Sequence, residues 1–502
     1  MLVRRRGFVE DKEFNMSEID IVDTTYRDAN ASQWGEKMNT AMMYKIAPMM
    51  NRAGFRALDA TAISHFEYAV RYLRENPWER MRLLSKVITS APLGLMMLGN
   101  SLSLFRYVGG PIIGTWLERL AANGLRRVQL MEASNIMEDM AETVQYAKNV
   151  GIESVVALVY SHSEVHTDEY YAQKTRDAVK INPDVIYFKD PGGLITPERT
   201  LTLIPTIQKN LNGLPLEFHS HCTTGLAPLC YLEAMKLGVK TFHTSISPLA
   251  NGPSQPSTEN FLRNAQYLDY SSKVDWEALD AIAAHFREIA KAEGLPVGSP
   301  VEYELYQFEH QVPGGVISNL KRQLAQLGAE HRLDEVLEET LLVRKELGYP
   351  IMVTPFSQFV VTQASVNVMH GERYKMITDE VIKFALGQYG KQIKPVDENL
   401  MDRIQSLPGT KELINWERPQ TSIEDIRREM GSHLSDDELL LLVLAPEDDF
   451  KAMQAAGPIK TEYSGASKPL AAFIKELTKH KKSTYISIQK DNFSLTLRKA
   501  AK

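Results

Sequence analysis

The chain has 502 residues, of which 44% are hydrophobic and 24% are charged, with a formal net charge of −6. This composition is typical of a globular protein and excludes a disordered or fibrous chain, and the slightly acidic balance gives no electrostatic basis for binding nucleic acid. Cys222 and Cys230 are the only cysteines, too few for a disulfide-stabilised secreted fold, so we expect a reduced, cytoplasmic setting.

The N-terminal segment is basic, but it lacks the apolar core of a signal peptide. Residues 1–17 are therefore predicted to form a loose arm. No apolar run in the chain approaches the roughly 20 residues that a bilayer-spanning helix needs. We therefore expect no membrane span.

Short apolar runs alternate with longer amphipathic stretches in the first half of the chain. Eight such runs fall at residues 19–22, 55–58, 93–97, 127–130, 154–159, 185–188, 216–218 and 240–243. Strand–helix alternation at this spacing predicts βα units around a parallel sheet. About eight units in roughly 250 residues fit a closed (β/α)₈ TIM barrel, an α/β fold, better than an open sheet. We assign this barrel domain to residues 18–300.

Helical patterns dominate after the barrel. They cover residues 276–292, 333–347 and 380–386, and we predict a mainly helical C-terminal region, with residues 301–450 completing the active site. Residues 451–502 are predicted to form a C-terminal tail, in which residues 485–488 have the alternation of a strand. The basic end from Lys475 is either a docking segment for a carrier protein or an ordinary solvated terminus.

Polar side chains occur at the carboxyl ends of the predicted strands, where barrel enzymes place their active sites. Asp23 ends the first strand, Lys189 the sixth, and His219 and His221 the seventh. Two histidines at i and i+2 on an extended segment project to the same side, and with a carboxylate they suit Zn²⁺, Mn²⁺ or Co²⁺. Lys189 can join such a set only as a neutral amine or after carbamylation. The alternatives are a buried Asp23–Lys189 ion pair and a salt bridge from Lys189 to Asp190.

Several motifs occur in a specific order along the chain. They are Asp-Thr-Thr-Tyr-Arg-Asp-Ala at 23–29, Pro-Trp-Glu-Arg at 77–80, Lys-Asp at 189–190, His-Ser-His at 219–221, Ser-Gln-Pro at 254–256, Glu-His-Gln-Val-Pro-Gly-Gly-Val-Ile-Ser-Asn at 309–319 and Val-Thr-Pro at 353–355. Together they resemble the biotin-dependent carboxyltransferase family, which includes the carboxyltransferase domain of pyruvate carboxylase, the oxaloacetate decarboxylase alpha subunit and the matching subunit of transcarboxylase. The resemblance covers about residues 18–450.

The resemblance implies a metal-dependent subunit that moves CO₂ between carboxybiotin and an enolisable acceptor. It implies that Asp23, a carbamylated Lys189, His219 and His221 hold a divalent metal. By the same resemblance, Thr354 relays a proton between acceptor and biotin, and Arg27 orients the acceptor. For Arg27 the alternative is a rim ion pair with Asp28 or Glu132.

Three departures from the family pattern fall at positions that the resemblance assigns to substrate binding. Ala31 stands in place of a glutamine, Leu98 in place of an arginine and Phe105 in place of a tyrosine. Each change removes hydrogen-bonding groups, at roughly 1–3 kcal/mol per charged or polar contact. We therefore expect an acceptor other than pyruvate, bulkier or less polar.

The chain contains no Ala-Met-Lys-Met sequence of the kind that carries biotin in fused family members. Biotin is therefore expected on a separate carrier protein, charged by a separate biotin carboxylase subunit, and the resemblance implies a homodimer. A second hypothesis is a biotin-independent carbon–carbon lyase or decarboxylase, because the aspartate and His-x-His motifs also resemble the metallolyase group of hydroxymethylglutaryl-CoA lyase. That group has asparagine where Cys222 follows the second histidine, and it lacks the motif at 309–319.

Overall fold

Eight parallel strands form a closed barrel in the computed structural model, which describes residues 17–103, 107–431, 433–463, 465, 485–490 and 493–498. The barrel strands are β2 (Asp20–Asp23), β3 (Ala57–Ala62), β4 (Leu93–Leu98), β5 (Arg127–Met131), β6 (Glu153–Val159), β7 (Val185–Asp190), β8 (Leu216–Ser220) and β9 (Thr241–Thr244). A short strand β1 (Ser17–Glu18) pairs in parallel with β10 (Tyr270–Ser271) outside the barrel.

The barrel closes because β2 pairs with both β3 and β9. Asp23 lies in register with Leu58 on one side and with Thr244 on the other. Each of the eight predicted apolar runs overlaps one barrel strand, so the TIM-barrel prediction is confirmed. The runs were recognisable because strands of a parallel barrel are buried on both faces and are rich in apolar residues.

Helices connect the strands and surround the barrel. They are α1 (Asn30–Trp34), α2 (Thr40–Arg52), α3 (Ile63–Tyr68), α4 (Pro77–Val87), α5 (Ile112–Ala122), α6 (Ala141–Asn149), α7 (Asp168–Lys180), α8 (Pro197–Asn210), α9 (Ala227–Lys236), α10 (Thr258–Tyr267) and α11 (Trp276–Glu293). Side-chain caps define several starts: the hydroxyls of Thr167 and Thr196 accept hydrogen bonds from the backbone N–H groups of Tyr170 and Arg199. Two wide helical turns, Thr25–Ala29 and Ala69–Leu73, follow the ends of β2 and of α3.

The C-terminal part of the chain is mainly helical, as predicted. Its helices are α12 (Tyr306–His310), α13 (Gly314–Gln326), α14 (Leu333–Glu346), α15 (Phe356–His370), α16 (Asp379–Ala385), α17 (Glu398–Ser406), α18 (Thr410–Ile414), α19 (Ile423–Met430), α20 (Asp436–Leu444) and α21 (Glu447–Ala455). The antiparallel strands β11 (Tyr485–Lys490) and β12 (Phe493–Arg498) follow, which confirms the strand predicted at 485–488.

The C-terminal helices are packed onto the barrel. One buried apolar cluster contains Val155 and Tyr187 from the barrel strands together with Phe359 and Val360 from α15. Residues of α20 and α21 join the other cluster, which holds most of the apolar residues around the barrel. Shared cores of this kind fix the helices against the barrel.

Some predicted features lie outside the described residues. They are residues 1–16 of the predicted arm, Phe105, and residues 466–484 of the predicted tail, which include Lys475. In the part of the chain that the structure describes, no helix is both long and apolar enough to cross a bilayer.

Candidate functional site

A cluster of metal-ligating side chains lies where β7 and β8 end. The carboxylate of Asp28 is surrounded by three nitrogen atoms: Lys189 Nζ at 3.4 Å, His219 Nε2 at 3.5 Å and His221 Nε2 at 3.4 Å. All four residues are buried, and Lys189 Nζ lies 3.4 Å from His219 Nε2. The structure thus brings together the lysine and both histidines of the predicted set.

The carboxylate of this cluster comes from Asp28, whereas Asp23 was predicted from its position at a strand end. The Oδ1 atom of Asp23 accepts a hydrogen bond from the Thr25 N–H (3.1 Å) and its Oδ2 atom accepts one from the Thr25 hydroxyl (2.7 Å). Asp23 ends its strand, but the wide turn Thr25–Ala29 carries the next acidic residue back to the histidines. In the described residues the carboxylate beside the two histidines is therefore Asp28, where Asp23 was predicted. The second aspartate of the same motif was the available signal.

The donor set fits a divalent cation. One ligand atom from each of Asp28, His219 and His221 lies within 4.8 Å of the others. Burial lowers the pKa of both histidines, and the neutral imidazole is the form that binds metals. Two imidazole nitrogens and a carboxylate oxygen suit Zn²⁺, Mn²⁺ or Co²⁺.

A buried chain of hydrogen bonds orients His219 from inside the barrel. His219 Nδ1 lies 3.2 Å from His243 Nδ1, and His243 Nε2 lies 2.8 Å from a Glu217 carboxylate oxygen. Burial would raise the pKa of Glu217, but the Arg127 guanidinium and the hydrogen bond from His243 hold it at about 2. A carboxylate can only accept, so His243 donates from Nε2 and accepts at Nδ1. His219 then carries its proton on Nδ1 and directs the Nε2 lone pair at the cluster.

The ring of Tyr187 holds this chain in place, since it stacks on His243 with centroids 5.4 Å apart and planes at 6°. His243 and Glu217 were missed by the sequence analysis. They lie on adjacent strands, β9 and β8, and their contact depends on strand pairing that the linear sequence does not display.

Arg27 is buried in ion pairs next to the cluster. Its Nε donates to Asp59 Oδ2 at 2.7 Å, and its guanidinium lies 2.8 Å from Asp28 Oδ2. Asp28 and Glu132 were the alternative ion-pair partners of Arg27 named from the sequence, and the structure shows the pair with Asp28. Arg27 thus orients the carboxylate of the cluster.

Gln255 is a further residue at the cluster. Its Oε1 atom accepts a hydrogen bond from the Thr24 hydroxyl at 2.7 Å, and its Nε2 atom lies 3.1 Å from His221 Nε2. This glutamine belongs to the Ser-Gln-Pro motif at 254–256, for which no role was predicted. Its buried side chain closes one side of the site.

The predicted substrate positions are spread around the barrel mouth. Leu98 ends β4 and lines a pocket that also includes Pro355, the residue after Thr354. Thr354 is partly buried, and Ala31 is partly buried on α1 but does not line this pocket. Phe105 lies outside the described residues.

Comparisons with known protein families give two matches along the chain. Residues 308–495 match a family described as a conserved carboxylase domain, and residues 125–285 match the family described as HMGL-like. The first match covers most of the C-terminal helical region, and the second covers the barrel strands β5 to β9.

Curated relatives cover most of the chain. A pyruvate carboxylase subunit of Methanocaldococcus jannaschii is 35% identical over 456 residues, which span 88% of this chain and 79% of the relative. The 2-oxoglutarate carboxylase large subunit of Hydrogenobacter thermophilus is 29% identical, over 89% of this chain and 70% of the relative. The methylmalonyl-CoA carboxyltransferase 5S subunit of Propionibacterium freudenreichii is 28% identical, over 90% of this chain and 93% of the relative.

The fold is also that of a solved structure. The carboxyl transferase domain of Rhizobium etli pyruvate carboxylase with pyruvate superposes with a TM-score of 0.80 at 21% identity, over 88% of this chain and 77% of that one. The sequence match to the Methanocaldococcus jannaschii protein covers far more than two thirds of both chains. The chain therefore belongs to the biotin-dependent carboxyltransferases, the enzyme family that includes this archaeal pyruvate carboxylase subunit.

Proposed function

We propose that this enzyme moves CO₂ between carboxybiotin on a separate carrier protein and an enolisable acceptor other than pyruvate. The observation that carries the proposal is the buried cluster of Asp28, Lys189, His219 and His221 within the barrel of a carboxyltransferase relative. In this scheme the four side chains hold a divalent metal, which when bound stabilises the negative charge of an enolate.

Carbamylation of Lys189 fits its surroundings. Burial lowers the pKa of its amine, which favours the neutral form that adds CO₂. An ammonium 3.4 Å from His219 Nε2 would repel a cation at the same place. A carbamate replaces that positive charge with a negative one and supplies oxygen, a suitable ligand for such ions. ¹³C NMR in ¹³C-bicarbonate tests this: we expect a carbamate signal in the wild type that Lys189→Met abolishes.

Thr354 is proposed to carry the proton. Its hydroxyl can take a proton from the acceptor carbon and pass one to the biotin nitrogen that has released CO₂, without holding a charge of its own. Thr354 is partly buried, directly before two residues of the mouth pocket, Pro355 and Phe356. Thr354→Ala should stop biotin-dependent turnover and Thr354→Ser should retain part of it. The exposed Thr362 on α15 offers a matched control, because Thr362→Ala should leave turnover unchanged.

The acceptor is proposed to be less polar than pyruvate. The names of the relatives mention pyruvate, 2-oxoglutarate and methylmalonyl-CoA, so membership of the family leaves the acceptor open. In this chain Leu98 and Ala31 cannot donate hydrogen bonds to a small keto acid, and each absent contact weakens binding by roughly 1–3 kcal/mol. Leu98→Arg should therefore improve pyruvate binding by about tenfold or more, and the matched Leu98→Met should not. Wild-type turnover of pyruvate equal to that of Leu98→Arg would contradict the proposal.

The assembly is proposed to include a carrier and a biotin carboxylase. Three of the relatives are named as subunits of larger enzymes, which supports a multi-subunit enzyme. Co-purification with a biotinylated partner tests this part. The homodimer, the cytoplasmic location and the domain limits near residues 300 and 450 stay predictions, and light scattering would test the dimer.

The metallolyase hypothesis keeps one supporting observation, the HMGL-like match over residues 125–285. Both functions would use the same histidines, so loss of activity in His219→Ala does not separate them. Biotin does. Turnover of a β-carboxylated donor that is lost in His219→Ala but indifferent to biotin would favour the lyase.

A further inference from the structure

One arginine of the C-terminal helices is buried without a carboxylate partner. Arg344 lies in the last turn of α14 and is 5% exposed. Among the residues that the structure describes, its side chain forms no ion pair, and its hydrogen bonds go to neutral oxygens. Burial lowers the pKa of this guanidinium to about 10, which leaves it charged at neutral pH. A buried charge is costly unless hydrogen bonds compensate it, so the geometry of these bonds matters.

The acceptors of Arg344 belong to two separate segments of the chain. Nη2 of Arg344 donates to the Ser161 hydroxyl at 2.9 Å and to the His162 carbonyl at 3.2 Å, just after the end of β6. Nε of Arg344 donates to the Pro350 carbonyl at 3.1 Å, four residues before Thr354. A guanidinium presents its donors in a rigid, planar fork. Arg344 therefore ties the segment that leads to Thr354 to the barrel mouth at the end of β6.

The segment after β6 is itself held firmly and can serve as an anchor. The Ser161 N–H donates to the hydroxyl of Tyr171 on α7 at 2.8 Å. Gln311, a residue of the motif at 309–319, donates to the His162 carbonyl at 2.7 Å and accepts from the Ser161 hydroxyl at 3.2 Å. Two contacts besides that with α14 thus fix this segment in place.

The turn that Arg344 holds has an unfavourable backbone. Gly348 and Tyr349 are both left-handed, with φ of 79° and 60°, a region that suits glycine and is disfavoured for a residue with a Cβ atom. The Arg344 carbonyl accepts from the Tyr349 N–H at 3.0 Å, and the Arg344 guanidinium lies over the Tyr349 ring at 5.7 Å. Backbone strain persists only where the surroundings over-determine it. Without the Arg344 side chain we expect this turn to relax.

The residues between the turn and Thr354 are packed in the core. Ile351, Met352 and Val353 are buried, and they belong to the apolar cluster that the barrel strands share with α15. Close-packed interiors transmit strain. A shift of the turn is therefore expected to reach the Thr354 hydroxyl.

We propose that Arg344 is a positioning residue for carboxyl transfer: it fixes the turn at 348–350 against the end of β6 and so places the Thr354 hydroxyl for proton transfer. The proposal rests on the proposed function, in which the proton moves between the acceptor carbon and the biotin nitrogen through Thr354. Arg344 takes no part in these bond changes. Because it acts only through Thr354, its loss should slow proton transfer without weakening the binding of metal or donor.

Steady-state kinetics of the full chain test the proposal. CO₂ release is measured at saturating free biotin from oxaloacetate or methylmalonyl-CoA, whichever the wild type turns over faster. Arg344→Met should lower kcat by about 10–100-fold, the scale of a misplacement of about 1 Å, and leave the donor KM and the Co²⁺ affinity within about twofold of the wild type. The solvent deuterium isotope effect on kcat should rise, because proton transfer becomes the slow step. Arg344→Lys keeps the charge but not the fork, and should lower kcat by about three- to tenfold.

Arg373→Met is the matched control. Arg373 also fastens α14, through Glu339 at 2.8 Å and Glu346 at 2.7 Å, but among the described residues it makes no hydrogen bond to the turn at 348–350. Its loss should destabilise the fold and leave kcat within about twofold of the wild type, which separates positioning from stability. Arg344→Lys, which keeps a cation in the same place, decides the matter if Arg344→Met does not fold.

Three results would overturn the proposal: a kcat of folded Arg344→Met, or of Arg344→Lys in its place, within about twofold of the wild type; an equal loss of kcat in Arg373→Met; or a loss of Co²⁺ affinity that parallels the loss of kcat. Thr354→Ala, measured alongside, separates this failure from that of the proposed function. Biotin-dependent turnover that persists in Thr354→Ala overturns the proton role of Thr354 and this proposal with it. An inactive Thr354→Ala beside a fully active Arg344→Met rejects only the positioning role.

Discussion

The hydrogen-bond chain behind His219 gives a prediction about metal affinity. His243→Phe removes the acceptor of the His219 Nδ1 proton while keeping a flat ring to stack on Tyr187. Without that acceptor, His219 is free to place its proton on Nε2, the nitrogen that faces the cluster. We therefore expect the variant to bind a divalent metal more weakly, although no ligand has been changed.

The size of the effect follows from the geometry. Replacing a residue that orients a metal ligand typically lowers metal affinity by about 10–100-fold, or about 1.4–2.7 kcal/mol. The His219–His243 contact is long at 3.2 Å, which favours the lower half of that range. His243→Gln keeps an oxygen acceptor near the same place and should recover part of the affinity.

Titration with Co²⁺ in bicarbonate buffer, followed by the visible absorption of the bound ion, measures this affinity. His285→Phe is the matched control, since His285 is also buried and hydrogen-bonded, to the Met42 carbonyl, on the outer helix α11. An affinity of His243→Phe within twofold of the wild type, or a loss equal to that of His285→Phe, would refute the reasoning.

Three further predictions follow from buried charges. Asp28→Asn should lower metal affinity by more than about 100-fold whereas Asp23→Asn should cost less than about tenfold, and the reverse order in the same titration would restore Asp23 as the ligand. Arg127→Met should destabilise the fold by about 3–5 kcal/mol in urea unfolding, because it leaves the Glu217 carboxylate buried without its cation; a loss below about 1 kcal/mol would contradict this. Burial raises the pKa of Glu132 to about 7, so the stability contributed by its protonated form is complete below its unfolded pKa and is lost as the pH rises through about 7. Between pH 5 and pH 8 the free energy of unfolding of the wild type should thus fall, relative to that of Glu132→Gln, by up to about 3 kcal/mol. The melting temperatures of the two proteins should differ accordingly, and parallel pH profiles would contradict the burial argument.

The barrel strands could be predicted because a parallel barrel needs apolar residues on both faces of its strands. The prediction was least accurate at β3, expected at residues 55–58 and observed at Ala57–Ala62. Asp59 and Thr61 interrupt the apolar pattern there, and both are buried inside the fold, where Asp59 pairs with Arg27. Because these buried residues are polar, the apolar pattern did not reveal the end of β3, which supports the site.

The site was only partly predictable for a related reason. Lys189, His219 and His221 lie at or just after strand ends, so chain position alone placed them at the mouth. Asp28 lies in a wide helical turn, whose path back over the mouth cannot be deduced from strand periodicity. The hydrogen-bond chain through His243 depends on the pairing of neighbouring strands. The same is true of the contact between Leu98 and Met131, which are paired in register at the pocket.

The cluster and Thr354 are proposed to serve carboxyl transfer through biotin. The most direct measurement is CO₂ release from β-carboxylated donors, such as oxaloacetate and methylmalonyl-CoA, with and without free biotin. We expect release that biotin stimulates in the wild type and in Thr362→Ala, and that disappears in Thr354→Ala. Release that is the same with and without biotin, or that persists in Thr354→Ala, would contradict it.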